Sequence, residues 1–401
     1  MNTRSYALVT AGYWAFTLTD GALRMLVLLY FHDLGYSPVS LAFLFLLYEV
    51  AGIVTNLLGG WVGARTGLHR TLFAGLGLQV AALLGLTLHD RTWPELASVG
   101  FVMAAQALSG VAKDLTKMSS KSAVKYVAGD GALFRLVAVL TGSKNALKGI
   151  GFFVGAALLA WLGFDGALLV MAGLIAVTLV AVWWLLDADL GQAKSKTPLR
   201  SILSKATAIN RLSIARLFLF GSRDIWFVVA LPVFLDDELG WSFEGIGAFL
   251  AAWIVGYGLI QSVAPRLIRS DEAIAAARWV LGLAALTAVI AMAVGFEGMR
   301  TTAVVGGLFV FGAVFAVNSS LHSYLILAYS QGDDVSLDVG FYYSANAAGR
   351  FVGTLLSGLL YLAGGLQVAM WGSAGFLVIA YAVTRPLPSV VDQSALSSQR
   401  R

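Results

Sequence analysis

Lys144 and Lys148 lie four residues apart inside an apolar run, with Leu136 to Leu140 upstream and Phe152, Phe153 and the stretch to Trp161 downstream. Residues four apart are neighbours on one helical face, so the two ammonium groups point the same way. A charge at the centre of a bilayer costs about 2.5–3.5 kcal/mol on insertion scales, so such residues usually face a wet cavity and serve function. Arg24, Lys113, Lys117, Arg216, Arg223 and Arg350 also fall within apolar runs, against four acids, Asp20, Glu49, Asp114 and Asp224. An excess of cations over acids implies an anionic ligand, because unpaired burial is costly. Arginine in particular suits phosphate-like groups, whose oxygens its planar fork meets bidentately.

Each charge also has a structural reading. Arg24 follows Asp20 by four residues, so the two either form a self-satisfied ion pair or divide the work, Arg24 holding an oxyanion and Asp20 positioning it or taking a proton. Asp224 is turned about 100° from Arg223, a poor intrahelical partner that is expected to pair across helices. Gln106, Lys113 and Lys117 form one stripe, with Lys117 and Arg216 read as interfacial residues whose heads snorkel to water. Tyr342, Asn346 and Arg350 form another stripe among small residues. Asn318, Ser319, Ser320 and His322 make their run polar, His322 being read as incidental. Glu49 and Asn56 are candidates for proton coupling or an inter-helix hydrogen bond. The expected substrate-binding set is therefore Arg24, Lys113, Lys144, Lys148, Arg223, Asn318, Tyr342, Asn346 and Arg350. Asp20, Glu49, Asp114 and Asp224 are the proton-coupling or ion-pair candidates.

The elements that must position these groups are membrane helices. The 401 residues are 59% hydrophobic and 12% charged, with a mean hydropathy of +0.81, where soluble domains carry roughly 25% charged residues. With no cysteine there is no disulfide, thiolate metal site or cysteine nucleophile, and the four histidines lack metal-ligand spacing. No cofactor is expected. The net charge of +5 is distributed over short loops and apolar runs rather than a nucleic-acid-binding face, and no cleavable signal peptide is recognisable at the N-terminus. Twelve runs near 20 residues long match the thickness of a bilayer: 7–31, 39–62, 71–88, 96–118, 136–161, 166–186, 211–235, 243–264, 279–296, 301–325, 338–362 and 366–384. The predicted fold is all-α, with a six-helix bundle over 1–186, a cytoplasmic linker over 187–210 and a second bundle over 211–401. Basic residues such as Arg65, Arg70, Lys194 and Arg269 gather on one side and acids such as Asp90, Asp165 and Asp237 on the other. Both termini are therefore predicted to be cytoplasmic.

The halves echo one another. Lys144, Lys148 and Gly151 map onto Asn346, Arg350 and Gly353 at one constant offset. Parallel repeats of this kind place a solute site near the midplane at the repeat interface. An anion that screens the repulsion among Lys144, Lys148, Arg223 and Arg350 would then permit the two bundles to close.

The segment Gly60-Trp-Val-Gly-Ala-Arg65-Thr-Gly67-Leu-His-Arg70 resembles the loop motif of the major facilitator superfamily, Gly-x-x-x-Asp-Arg-x-Gly-Arg-Arg/Lys, with Ala64 in place of the aspartate. The resemblance implies a parallel six-helix repeat and alternating access, with Gly60, Arg65, Gly67 and Arg70 forming a cytoplasmic gate. Three further segments, Tyr13 to Arg24, Gly142 to Gly149 and Phe220 to Pro232, resemble the ArsJ branch of arsenic-resistance permeases. That resemblance implies export of 1-arseno-3-phosphoglycerate across the inner membrane by a monomer, the ester being made by a partner glyceraldehyde-3-phosphate dehydrogenase. Exchange of other sugar or organic phosphates, or a non-transporting anion receptor, are the competing expectations. An enzyme is not expected, since no nucleophile–base pair or phosphate-cradling glycine loop is present.

Overall fold

The computed structural model describes residues 3–66, 68–127, 133–186, 206–267, 272–329 and 335–389, with no side-chain description over 59–69 and at a few other helix ends. The elements are α1 (Thr3–Asp33), α2 (Pro38–Thr66), α3 (Leu68–Leu86), α4 (Glu95–Val127), α5 (Leu133–Leu185), α6 (Thr207–Phe227), α7 (Ala230–Asp237), α8 (Phe243–Leu267) and α9 (Glu272–Val294). A short α10 (Arg300–Thr302) and a π turn lead into α11 (Leu308–Tyr329), and α12 (Val335–Thr384) follows. Among the described residues there is no strand. Helices suit a chain of this hydropathy because lipid offers nothing to an unpaired backbone group.

Nine helical stretches are long and apolar enough to cross a membrane, and Arg70–Leu86 is a shorter apolar helix. Two of the nine, Ser143–Leu185 and Asp338–Thr384, are 43 and 47 residues long and break internally, so that with Arg70–Leu86 the described residues hold twelve candidate spans. The breaks fall at glycines: Gly163 has φ 69 and ψ −175, and Gly365 has φ 66 and ψ −162. A side chain is essentially excluded from that backbone region. The two turns are related by the offset that takes Lys148 to Arg350.

The seventh span is interrupted where a continuous helix was expected. Pro232 has no N–H to offer the Val228 carbonyl and its ring disturbs the turn before it. The buried amides of Val229 and Ala230 donate instead to Ser357 Oγ, at 3.2 and 3.1 Å. The seventh span also starts four residues earlier than expected, at Thr207. Of the expected linker, 187–205 lies outside the described residues, as do Gly67 and the side chain of Arg65. Gly60 falls in the last turns of α2, and Arg70 is exposed on α3.

The chain divides into two compact units, Met1–Tyr36 with Phe43–Pro198 and Gly240–Val255, and Ser37–Ala42 with Leu199–Leu239 and Gly256–Arg401. In the first, α1 packs along α5, and in the second α6 packs along α12. Both seams run on glycine. A Cβ at Gly21 would stand 2.5 Å from the Lys148 carbonyl oxygen, and one at Gly353 would stand 2.6 Å from the Gly221 oxygen. Such close approach is what small residues allow in membrane helices, and it holds the two charge-bearing helices of each unit face to face.

Candidate functional site

In the first unit the buried charges form a connected cluster. Asp20 on α1 is 7% exposed and accepts a hydrogen bond from Tyr48 Oη at 2.5 Å. Lys148 Nζ lies 3.7 Å from the other oxygen of Asp20, an ion pair longer than a charge-assisted hydrogen bond. Arg24 does not pair with Asp20. It reaches Glu49 on α2 at 2.7 Å and sits over the rings of Phe45 and Tyr48, 5.2 and 5.1 Å from their centroids. The i, i+4 pairing gives way because the fully buried Glu49 needs a partner of its own. Lys113 Nζ stands 4.0 Å above the Tyr48 ring, a cation–π contact that links α4 to the same cluster. Lys144 is half-buried on α5, one turn before Lys148.

Lys117 is tied into an ion pair rather than left to reach for water alone. It binds Asp114 and Asn56, both at 2.7 Å, and Asp114 also takes the Thr55 hydroxyl. This satisfied group on α2 and α4 is what a structural ion pair requires.

In the second unit, Asp224 is fully buried and accepts from Arg223 Nε at 2.6 Å and Arg350 Nε at 3.0 Å. The cross-helix pairing was expected; the bond to the adjacent arginine was not, and the long guanidinium arm folds round to make it. Arg223 also lies over Phe220, Phe227 and Phe315, 5.4 to 5.8 Å from their centroids. Both long helices thus carry a cation held by an aspartate of their glycine-packed partner, Lys148 by Asp20 and Arg350 by Asp224.

The remaining expected residues divide. Tyr342 is buried against Arg216, and Asn346 Oδ1 is buried without a hydrogen-bond partner among the described residues. Asn318 is not brought to the Arg223–Arg350 pair by its amide, which donates to the carbonyls of Trp279 and Val314 at 3.1 and 3.0 Å. Arg216 departs most from expectation: 4% exposed, it donates to Ser319 and stacks 3.8 Å from the Phe220 ring. Sequence reasoning missed Tyr48 and the Phe220, Phe227 and Phe315 rings. An aromatic in an apolar run carries no signal of its own, although Tyr48 stands next to Glu49.

Transmembrane helices with charged groups buried in both halves define a multi-pass membrane protein of the transporter class. The chain belongs to the Major Facilitator Superfamily, which it matches over residues 9–230 and 212–399. No curated protein matches the sequence. Among solved structures it is similar to a POT family transporter in complex with a thioalcohol-conjugated peptide, with a TM-score of 0.77, 13% identity and coverage of 95% of this chain and 94% of the other. A POT family transporter in complex with 5-aminolevulinic acid gives 0.76, 13%, 95% and 94%. The human organic anion transporter MFSD10 (TETRAN) gives 0.69, 17%, 96% and 100%. At these identities the likeness is one of fold.

Proposed function

We propose that the protein is an efflux carrier for a small organic anion bearing phosphate-like groups, working by alternating access. The observation that carries this reading is the repeated device of the two units. Lys148 and Arg350 occupy matching places and are each held in the membrane by an aspartate, while Lys113 and Arg223 add positive charge beside the same acids. The eight cations outnumber the acids buried with them, Asp20, Glu49, Asp114, Asp224 and Asp338, so a bound anion lowers the electrostatic energy of the interior. The fold is also one that serves organic anions in the human transporter MFSD10.

The particular solute is 1-arseno-3-phosphoglycerate, on the resemblance of the segments around Asp20, Lys148 and Arg223 to arsenic-resistance permeases. A glyceraldehyde-3-phosphate dehydrogenase supplies it, and the carrier lies in the inner membrane with both termini cytoplasmic, its halves being 1–186 and 211–401. An inside-negative membrane drives each exported negative charge outward by about 2.3 kcal/mol per 100 mV, so a coupled proton is not required. The test is arsenate tolerance in a sensitive bacterial host expressing the protein with and without the dehydrogenase. Tolerance that needs both genes, with less cellular arsenic, supports the reading. No tolerance, with the protein present in the membrane, rejects the arsenate ester as cargo.

A further inference from the structure

Arg216 has no role in the function so far derived, yet its setting is that of a binding group. Among the described residues its polar contacts are to neutral groups, the carbonyl and hydroxyl of Ser319 at 3.2 and 3.3 Å, and no carboxylate reaches it. The guanidinium is held between the rings of Phe220 and Tyr342, 3.8 and 5.0 Å from their centroids. A buried arginine without a counter-charge is costly.

The polar groups around it are also incomplete. Arg216 Nε, Ser213 Oγ, the Tyr342 hydroxyl and both ring nitrogens of His322 are buried without a hydrogen-bond partner among the described residues. Ser213 lies one turn before Arg216 on α6, and His322 lies one turn after Ser319 on α11, within electrostatic reach of the guanidinium. Ser323, beside the Tyr342 hydroxyl, gives its own proton to the Ser319 carbonyl at 2.7 Å. Tyr257 Oη and Gln261 Nε2 complete the ring of donors around Ser319 Oγ, at 3.1 and 3.4 Å. Buried polar groups are nearly always satisfied, and a concentration of exceptions around one cation calls for an occupant.

Arg216 and Arg223 lie seven residues apart, two helical turns along one face, and both guanidinium carbons lie within 5.4 Å of the Phe220 centroid. We infer that Arg216, with Ser319, Tyr342 and Tyr257, is a second oxyanion seat, so that the solute carries an anionic group at each end. One group is met by Arg223 and Arg350, the other by Arg216. The inference rests on the anionic-solute reading above and adds to it a requirement for two heads.

The test compares binding of 3-phosphoglycerate, with a phosphate and a carboxylate, and glycerol 3-phosphate, with a phosphate alone, to the purified full-length protein in nanodiscs. Arg216→Gln is expected to weaken 3-phosphoglycerate about tenfold or more, the effect of losing a charge-assisted pair, and glycerol 3-phosphate less than about threefold. Tyr342→Phe removes the unpartnered hydroxyl without changing shape. It is expected to weaken the two-headed probe selectively while leaving the melting temperature unchanged or raised, which keeps the inference testable if Arg216→Gln does not fold. Equal losses for both probes, or none, overturn the second seat and leave the transport reading standing. Failure of 3-phosphoglycerate to bind the wild type overturns both, whereas failure of glycerol 3-phosphate alone supports the need for two heads.

Discussion

Replacing Asp224 by asparagine keeps the shape of the side chain and removes the charge that Arg223 and Arg350 share. The carboxylate is fully buried, and the two arginine side chains are 12% and 17% exposed. Removing one partner of a buried ion pair costs about 3–5 kcal/mol; the residual exposure of the guanidinium groups puts the expected loss near 3 kcal/mol. For a unit of this size that corresponds to a fall in melting temperature of about 6–12 °C, read by intrinsic fluorescence in detergent. The same change removes the Asp224 charge that competes for both guanidinium groups, so an added anion should recover more stability in the variant than in the wild type. At a ligand concentration one hundred times Kd the linked gain is about 2.7 kcal/mol, nearly the whole of the loss. A variant as stable as the wild type would refute the buried-pair argument. A variant destabilised as expected, but raised by 3-phosphoglycerate no more than the wild type, would refute the claim that Arg223 and Arg350 hold the anion.

Neutralising Lys148, Arg223 and Arg350 one at a time, as Lys148→Gln, Arg223→Gln and Arg350→Gln, should abolish export while the protein still reaches the membrane; full activity in all three would reject the site. Gly163→Ala and Gly365→Ala should each lower stability by about 1–3 kcal/mol, because both glycines hold a backbone conformation closed to alanine. No atom lies near either position to add a clash, so a neutral result in a melting experiment would mean the turn had relaxed. His89, in the loop after α3, packs against Tyr30, Phe31, Trp93 and Phe164, and burial holds its pKa below the ordinary 6.5. Its folded form resists protonation, so this contribution is complete above pH 6.5 and is lost as pH falls through the lowered folded value. His89→Gln should therefore flatten the decline in melting temperature between pH 7 and 5, and an unchanged profile would refute the assignment.

The number of spans was legible because hydropathy reports directly on bilayer thickness, and the glycine turns fell where the apolar runs stopped. The pairing of charges was less legible. Asp20 and Arg24 satisfy the spacing rule for a helical pair, but that rule sees one helix, and Glu49 on the next helix wins the arginine. Arg216 looked like a snorkelling residue because its distance from the linker in sequence is short. Burial of that guanidinium depends on Phe220, Tyr342 and Ser319 meeting around it, and these come from three helices. The break at Val228 and Val229 followed from Pro232, whose effect on a span was open to sequence reasoning and was not drawn.

The two units share one device and differ in one place. Gly151 and Gly353 occupy matching places and lie against the carbonyl oxygens of Leu18 and Gly221, and aligning those two contacts puts Tyr13 where the second unit has Arg216. Tyr13 is 3% exposed, so the first unit closes this position with an uncharged ring and the second opens it to a charge. Repeats that descend on the same plan but bind a solute with two unlike heads need such a break in symmetry, since a fully symmetric pair would offer each head the same partners. Tyr13→Arg, which copies the second unit's charge into the first, should therefore leave two-headed anions no better bound while destabilising α1 against its neighbours. A gain in affinity for 3-phosphoglycerate in that variant would show that the asymmetry is incidental and that any added cation suffices.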